Sequence, residues 1–242
     1  MAKRAPSVGM DVPYRTKEQL QEEAALLLAE HGQHFKLVTA PPIPIEDILE
    51  LHLKLVFEIA DLKAMFGFAD VLGAIWINER IVRVDASLEP TTNTKMLGRY
   101  RFTLAHEAGH WRLHRSYFLE NAQQTKMFGP DGKVVCVCRA SEATKKPVEW
   151  QADYFAAHLL MPTGMVLAAW QQWRKNPDPV YLEDLWDNYG EDTVREEVGL
   201  RKNAARAEQR TAANAVMDMF VRPIAETFEL STEAMRIRLE EI

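Results

Sequence analysis

Two histidines and a glutamate in the run RFTLAHEAGHWRLH, residues 101–114, have the types and spacing for metal chemistry. His106 and His110 are four apart, so on a helix they project from one face and can converge on one ion. Neutral imidazole suits zinc, and two rings one turn apart form a bidentate platform. Glu107 is turned about 100° around the helix. That takes it out of the coordination sphere but within reach of a water the ion would activate, as a general base. Ala108 and Gly109 are small enough to allow close packing beneath the pair.

A catalytic zinc site also needs a third protein ligand and an open fourth position. Glu149, in the helical-looking run VEWQADYFAAHLLMP, can supply the third ligand. Asp153 lies four residues on, where it can accept the second ring N–H of a ligating histidine and fix its tautomer. The expectation is one zinc ion on His106, His110 and Glu149, with Glu107 catalytic and Asp153 supporting. His114, one turn beyond His110, reads as structural or supporting, since Leu113 and Ser116 break the pattern that would make it a ligand. His158, inside AAHLLMP, reads as a hydrogen-bonded core residue. Cys136 and Cys138 share a face if KVVCVC is a strand. With no CxxC or histidine near them in sequence, they read as small hydrophobes rather than a second metal site.

The elements that must position these groups are legible in outline. LKLVFEIA, VLGAIWIN and IVRVDAS read as strands, the last two joined by a short turn at Glu79-Arg80. Thr91 or Thr92 can cap the helix that carries the histidines, which is expected to end near His114. Before the strands, Thr16 with Gln19 forms a capping box for a helix reaching Gly32. GPDG, residues 129–132, is a turn signal before KVVCVC, and Pro162 ends the helix of Glu149. Strands followed by helices without regular alternation indicate an α+β fold. The expected organisation is a flexible tail at 1–15, a catalytic domain at 16–170, and a helical C-terminal region at 171–242.

With 242 residues, 47% hydrophobic and 26% charged, the chain can bury a real core. No run approaches the roughly 20 apolar residues of a membrane span. MAKRAPSVGMDVPYRT lacks the apolar stretch of a secretory signal, and the cysteines are too close together to staple the fold, so a cytoplasmic location is expected. A net charge of −6 argues against direct nucleic-acid binding by the whole chain. The basic residues Arg201, Lys202, Arg206 and Arg210 read as a solvated helix face or linker.

RYRFTLAHEAGHWRLH, VEWQADYFAAHLLMP and the late FELSTEAMRIRL together resemble the ImmA/IrrE family of metallopeptidases. The paired helices resemble the gluzincin arrangement. The resemblance implies a minimal zincin-like core, in which a small sheet packs on an active-site helix and a third-ligand helix. It also implies a cytoplasmic zinc endopeptidase. Matched by position, the family's ligands fall on His106, His110 and Glu149, with Glu107 as base. Characterised members cleave a helix-turn-helix repressor and so switch on mobile-element or stress-response genes, which makes such a repressor the expected partner. VLGAIWIN is expected to offer a sheet edge for an extended substrate, with Tyr154 or His114 as candidates to stabilise the oxyanion. The alternative is a regulatory binding protein that recognises a repressor or DNA through its C-terminal helices, VRPIAETF and the run after Ser231.

Overall fold

The computed structural model describes residues 12–125, 133, 135–139, 146–176, 178–202 and 212–242. The GPDG turn, Arg206 and Arg210 of the basic run and residues 1–11 of the N-terminal tail lie outside these residues. The chain divides into two compact units, Met1–Pro162 and Thr163–Ile242. The architecture is α+β, with one small sheet and a set of helices among the described residues.

In the first unit, α1 (Lys17–His34) starts at the capping box, where Thr16 accepts from the Gln19 backbone and Gln19 reaches back to the Thr16 backbone. A short helical segment, α2 (Ile45–Asp47), runs into a wider turn at Ile48–His52. Next come β1 (Val56–Ala60), α3 (Leu62–Phe66), β2 (Val71–Trp76) and β3 (Ile81–Asp85). The following helix is capped by neither Thr91 nor Thr92. Asn93 accepts from Lys95 to close a 3-10 turn, which leads into α4 (Leu97–Gly109). That helix does not stop at His114. It passes through a π turn at His110–His114 and continues as α5 (Arg115–Thr125). Then come β4 (Val135–Arg139) and α6 (Pro147–Leu160).

The sheet order is β1-β3-β2-β4, with β1 parallel to β3 and the other pairings antiparallel. Alternation sorts the side chains onto two faces. Ala74, Trp76, Val135 and Val137 join Leu62 and Phe66 of α3 in one apolar cluster. Gly73, Ile75, Val82 and Val84 are on the opposite face, with Cys136 and Cys138 beside them by register. This second face is the one toward α4, because a Cβ on Gly73 would lie 2.6 Å from Thr103 Cγ2. The expected substrate edge is therefore not an edge. β2 is an inner strand, and β4 occupies its outer side.

The second unit contains six helices among the described residues: α7 (Thr163–Arg174), α8 (Leu182–Tyr189), α9 (Glu191–Lys202), α10 (Ala212–Phe220), α11 (Arg222–Thr227) and α12 (Thr232–Glu240). Ser231 caps α12 as its sequence suggests, accepting from the Ala234 backbone at 3.1 Å. The basic residues of α12 are turned inward. Arg236 is paired with buried Asp218 at 2.9 Å and with Glu240, and Arg238 donates to Thr163. They do not form the exposed basic face that DNA recognition would need.

Candidate metal centre

Close helix packing builds the site. Gly109 lets α6 come so near α4 that a Cβ there would be 3.2 Å from the Ala152 Cα and 3.1 Å from Phe155. That contact sets Glu149 and Asp153 beside His106 and His110. His106 Nε2 lies 3.2 Å from one Glu149 oxygen, and His110 Nε2 lies 3.7 Å from the other. All three side chains are buried. Although close, His106 Nε2, His110 Nε2 and the nearer Glu149 oxygen make no hydrogen bond.

The surrounding contacts fix where the protons are. His106 Nδ1 is 2.8 Å from Asp153, which can only accept when ionised, so the neutral ring keeps its lone pair on Nε2. His110 is set by a longer chain. The Gln151 amide nitrogen donates to the Pro13 carbonyl at 3.1 Å, which leaves its oxygen to accept from His114 Nε2 at 3.1 Å. His114 Nδ1 is then an acceptor, 3.2 Å from His110 Nδ1, so His110 also presents a bare Nε2. Burial, reinforced by His110, lowers the His114 pKa to about 3, so it stays neutral in this role. In their neutral tautomers the two rings therefore turn lone pairs toward a carboxylate in a buried space. Such a set of acceptors fits a divalent cation.

Without a bound cation the pocket draws in a proton instead. Burial opposes a charged His106, yet Cys138 and Asp153 hold its pKa well above the usual value, so the ring takes up a proton that a metal ion would displace. Burial lowers the pKa of His110. Glu149 is held below the usual carboxylate range despite its burial, because His110 and His106 outweigh it. Glu107 is fully buried, and neither of its oxygens has a hydrogen-bond partner. Burial lifts its pKa to about 8, with Glu149 adding to the rise and His106 opposing it.

A family model described as the IrrE N-terminal-like domain, a peptidase family, matches residues 92–240, more than half of the chain. The chain belongs to this family. As an ImmA/IrrE-type peptidase it acts on protein, and the His/Cys/Glu groups at its centre are of metal-binding kind. The matched span contains the helix of His106 and His110, the strand of Cys136 and Cys138, and the helix of Glu149. None of the curated proteins compared matches the chain. Among the described residues, no helix is long and apolar enough to cross a membrane.

This ImmA/IrrE-type peptidase has more at its centre than sequence spacing reveals. Cys136 and Cys138 are both buried there, rather than packing apart from the site. The Cys138 sulfur, a His106 nitrogen and a Glu149 oxygen lie within 4.8 Å of one another, as do the corresponding atoms of Cys136, His110 and Glu149. Burial lifts the Cys138 thiol pKa to about 11, with His106 opposing the rise. Gln151 is likewise absent from the sequence reading, since nothing in EWQAD marks it as the partner of His114. His158 is satisfied locally, its Nδ1 2.9 Å from the Tyr154 carbonyl oxygen. Tyr154 stacks on the His158 ring and lies under the Lys17 ammonium. His114 is held behind His110 by its contacts to His110 and Gln151.

Proposed function

We propose that the chain is a zinc-dependent endopeptidase, with His106, His110 and Glu149 as ligands, Glu107 as the acid–base group and Asp153 orienting His106. The observation that carries this reading is the convergence of two imidazole Nε2 atoms on the Glu149 carboxylate in a buried space, with the other nitrogen of each ring already engaged. Two nitrogens and one oxygen are a donor set typical of catalytic zinc. When bound, the ion would polarise the scissile carbonyl and make a water acidic enough to attack at neutral pH. Glu107 would take the proton of that water and pass it to the departing amine. Its buried carboxyl, with both oxygens unpartnered, has the freedom and the affinity to hold a proton between those two steps. The 16–170 span is the proposed catalytic region, in a cytoplasmic protein.

The proposed substrate is a helix-turn-helix repressor whose cleavage releases mobile-element or stress-response genes; this part rests on the family resemblance. The test is co-expression with such a repressor encoded beside the gene. Parent protein should cleave it. Glu107→Gln should retain one metal per chain and slow cleavage by about 10²- to 10⁴-fold. His110→Ala should lose the metal. A purified parent protein without stoichiometric metal would sink the reading.

A further inference from the structure

We propose that β4 is a built-in occupant of the catalytic cleft, and that one of its two thiolates serves as the fourth ligand of the metal, closing the site at rest. The inference rests on the zinc-peptidase reading above and adds to it a state in which that site is blocked.

Two independent observations carry it. The first is strand pairing. β2 lies against the helix of Glu107, so closely that a Cβ on Gly73 would sit 2.7 Å from a Glu107 oxygen. Its outer side is where an extended peptide would add as a strand, bringing a backbone bond to Glu107. β4 is hydrogen-bonded there, antiparallel, with Cys138 opposite Gly73 and Cys136 opposite Ile75. The backbone groups that would hold a substrate are thus already paired. The second observation is the donor set. Register puts both sulfurs on the face toward α4, and each lies within 4.8 Å of a histidine nitrogen and a Glu149 oxygen. A hydrolytic zinc keeps one position open for water, whereas four protein ligands make a closed site. A thiolate in fourth place converts the first kind into the second.

The block is removable. β4 is five residues long, and its ladder with β2 has a register irregularity between Val71 and Gly73, next to Cys138. Peptide entry then requires β4 to leave β2, which withdraws the sulfur and frees the ligand position together.

The test uses the full chain, stripped of metal and reloaded with one equivalent of cobalt(II). The parent should show a near-ultraviolet thiolate-to-cobalt charge-transfer band. Cys136 and Cys138 are the only cysteines in the sequence, so Cys136→Ser/Cys138→Ser should lose the band while binding the same amount of cobalt. Cys136→Ala/Cys138→Ala repeats the comparison without burying hydroxyls. Val137→Pro, which weakens β4 pairing, should diminish the band and increase Glu107-dependent cleavage of a generic unfolded protein. Stoichiometric cobalt with no such band in the parent overturns the inference and leaves the peptidase reading standing. Failure to bind metal at all overturns both. Unchanged cleavage by a Val137→Pro protein that has lost the band overturns the blocking role.

Discussion

His110 shows how much of the proposed metal site would be decided by residues that do not touch the metal. Its bare Nε2 depends on His114, which depends on Gln151, whose amide is fixed by the carbonyl of Pro13, a residue that lacks an N–H and can only accept. Replacing Gln151 with leucine removes the acceptor that holds the His114 proton on Nε2. His114 can then place its proton on Nδ1, facing the Nδ1 proton of His110. Gln151→Leu is expected to weaken metal binding about 10- to 100-fold, in the range seen for supporting contacts behind metal ligands. Competition against a chromogenic chelator measures this directly, and an unchanged affinity would show that the proton arrangement does not depend on Gln151. The i, i+4 pairs were readable because helical periodicity alone brings such residues to one face. Gln151 was not, because its role depends on a carbonyl at Pro13, far away in sequence.

Among the elements, the strands and the two site helices could be read from alternation and helical spacing, but their pairing could not. Alternation says that Cys136 and Cys138 share a face. Which face, and opposite which strand, is set by antiparallel register against β2. The π turn was hidden for a similar reason, since an i→i+5 turn leaves no mark in apolar spacing. The end of β3 is a junction with its own pH signature. Asp85 accepts from the backbones of Leu62 and Ser87 and from the Ser87 hydroxyl, and it pairs with Lys63 at 3.1 Å, so it ties β3 to the start of α3. Burial alone would raise its pKa, but the Ser87 hydrogen bonds and Lys63 hold it below the usual value. A lowered folded-state pKa stabilises the fold above the unfolded value, near 3.9, and that contribution is lost as pH falls through the folded value. Asp85→Asn should therefore cost about 1–3 kcal/mol at neutral pH, with the gap to the parent narrowing below about pH 4. Urea unfolding across that range provides the check, and a gap that stayed constant in acid would contradict it.

For the whole molecule, the site is also a fastener. Its proposed ligands come from α4, the π turn and α6, and a metal that binds only the folded arrangement adds its binding free energy to stability. At a free-metal concentration a thousandfold above Kd the gain is about 4.1 kcal/mol. Chelation should lower the unfolding midpoint, and added zinc should restore it; a midpoint indifferent to metal would argue that the helices are held by packing alone. The position of β4 in the chain has a different consequence. It lies between α5 and α6 and is joined to the body at both ends, so it never diffuses away. A tethered strand competes like a ligand at millimolar effective concentration, on the order expected for short connections. Diluting the protein cannot relieve such competition. A target present at micromolar levels must outbid a rival roughly a thousand times more abundant, which makes the enzyme selective against casual unfolded peptides before any side-chain pocket is consulted.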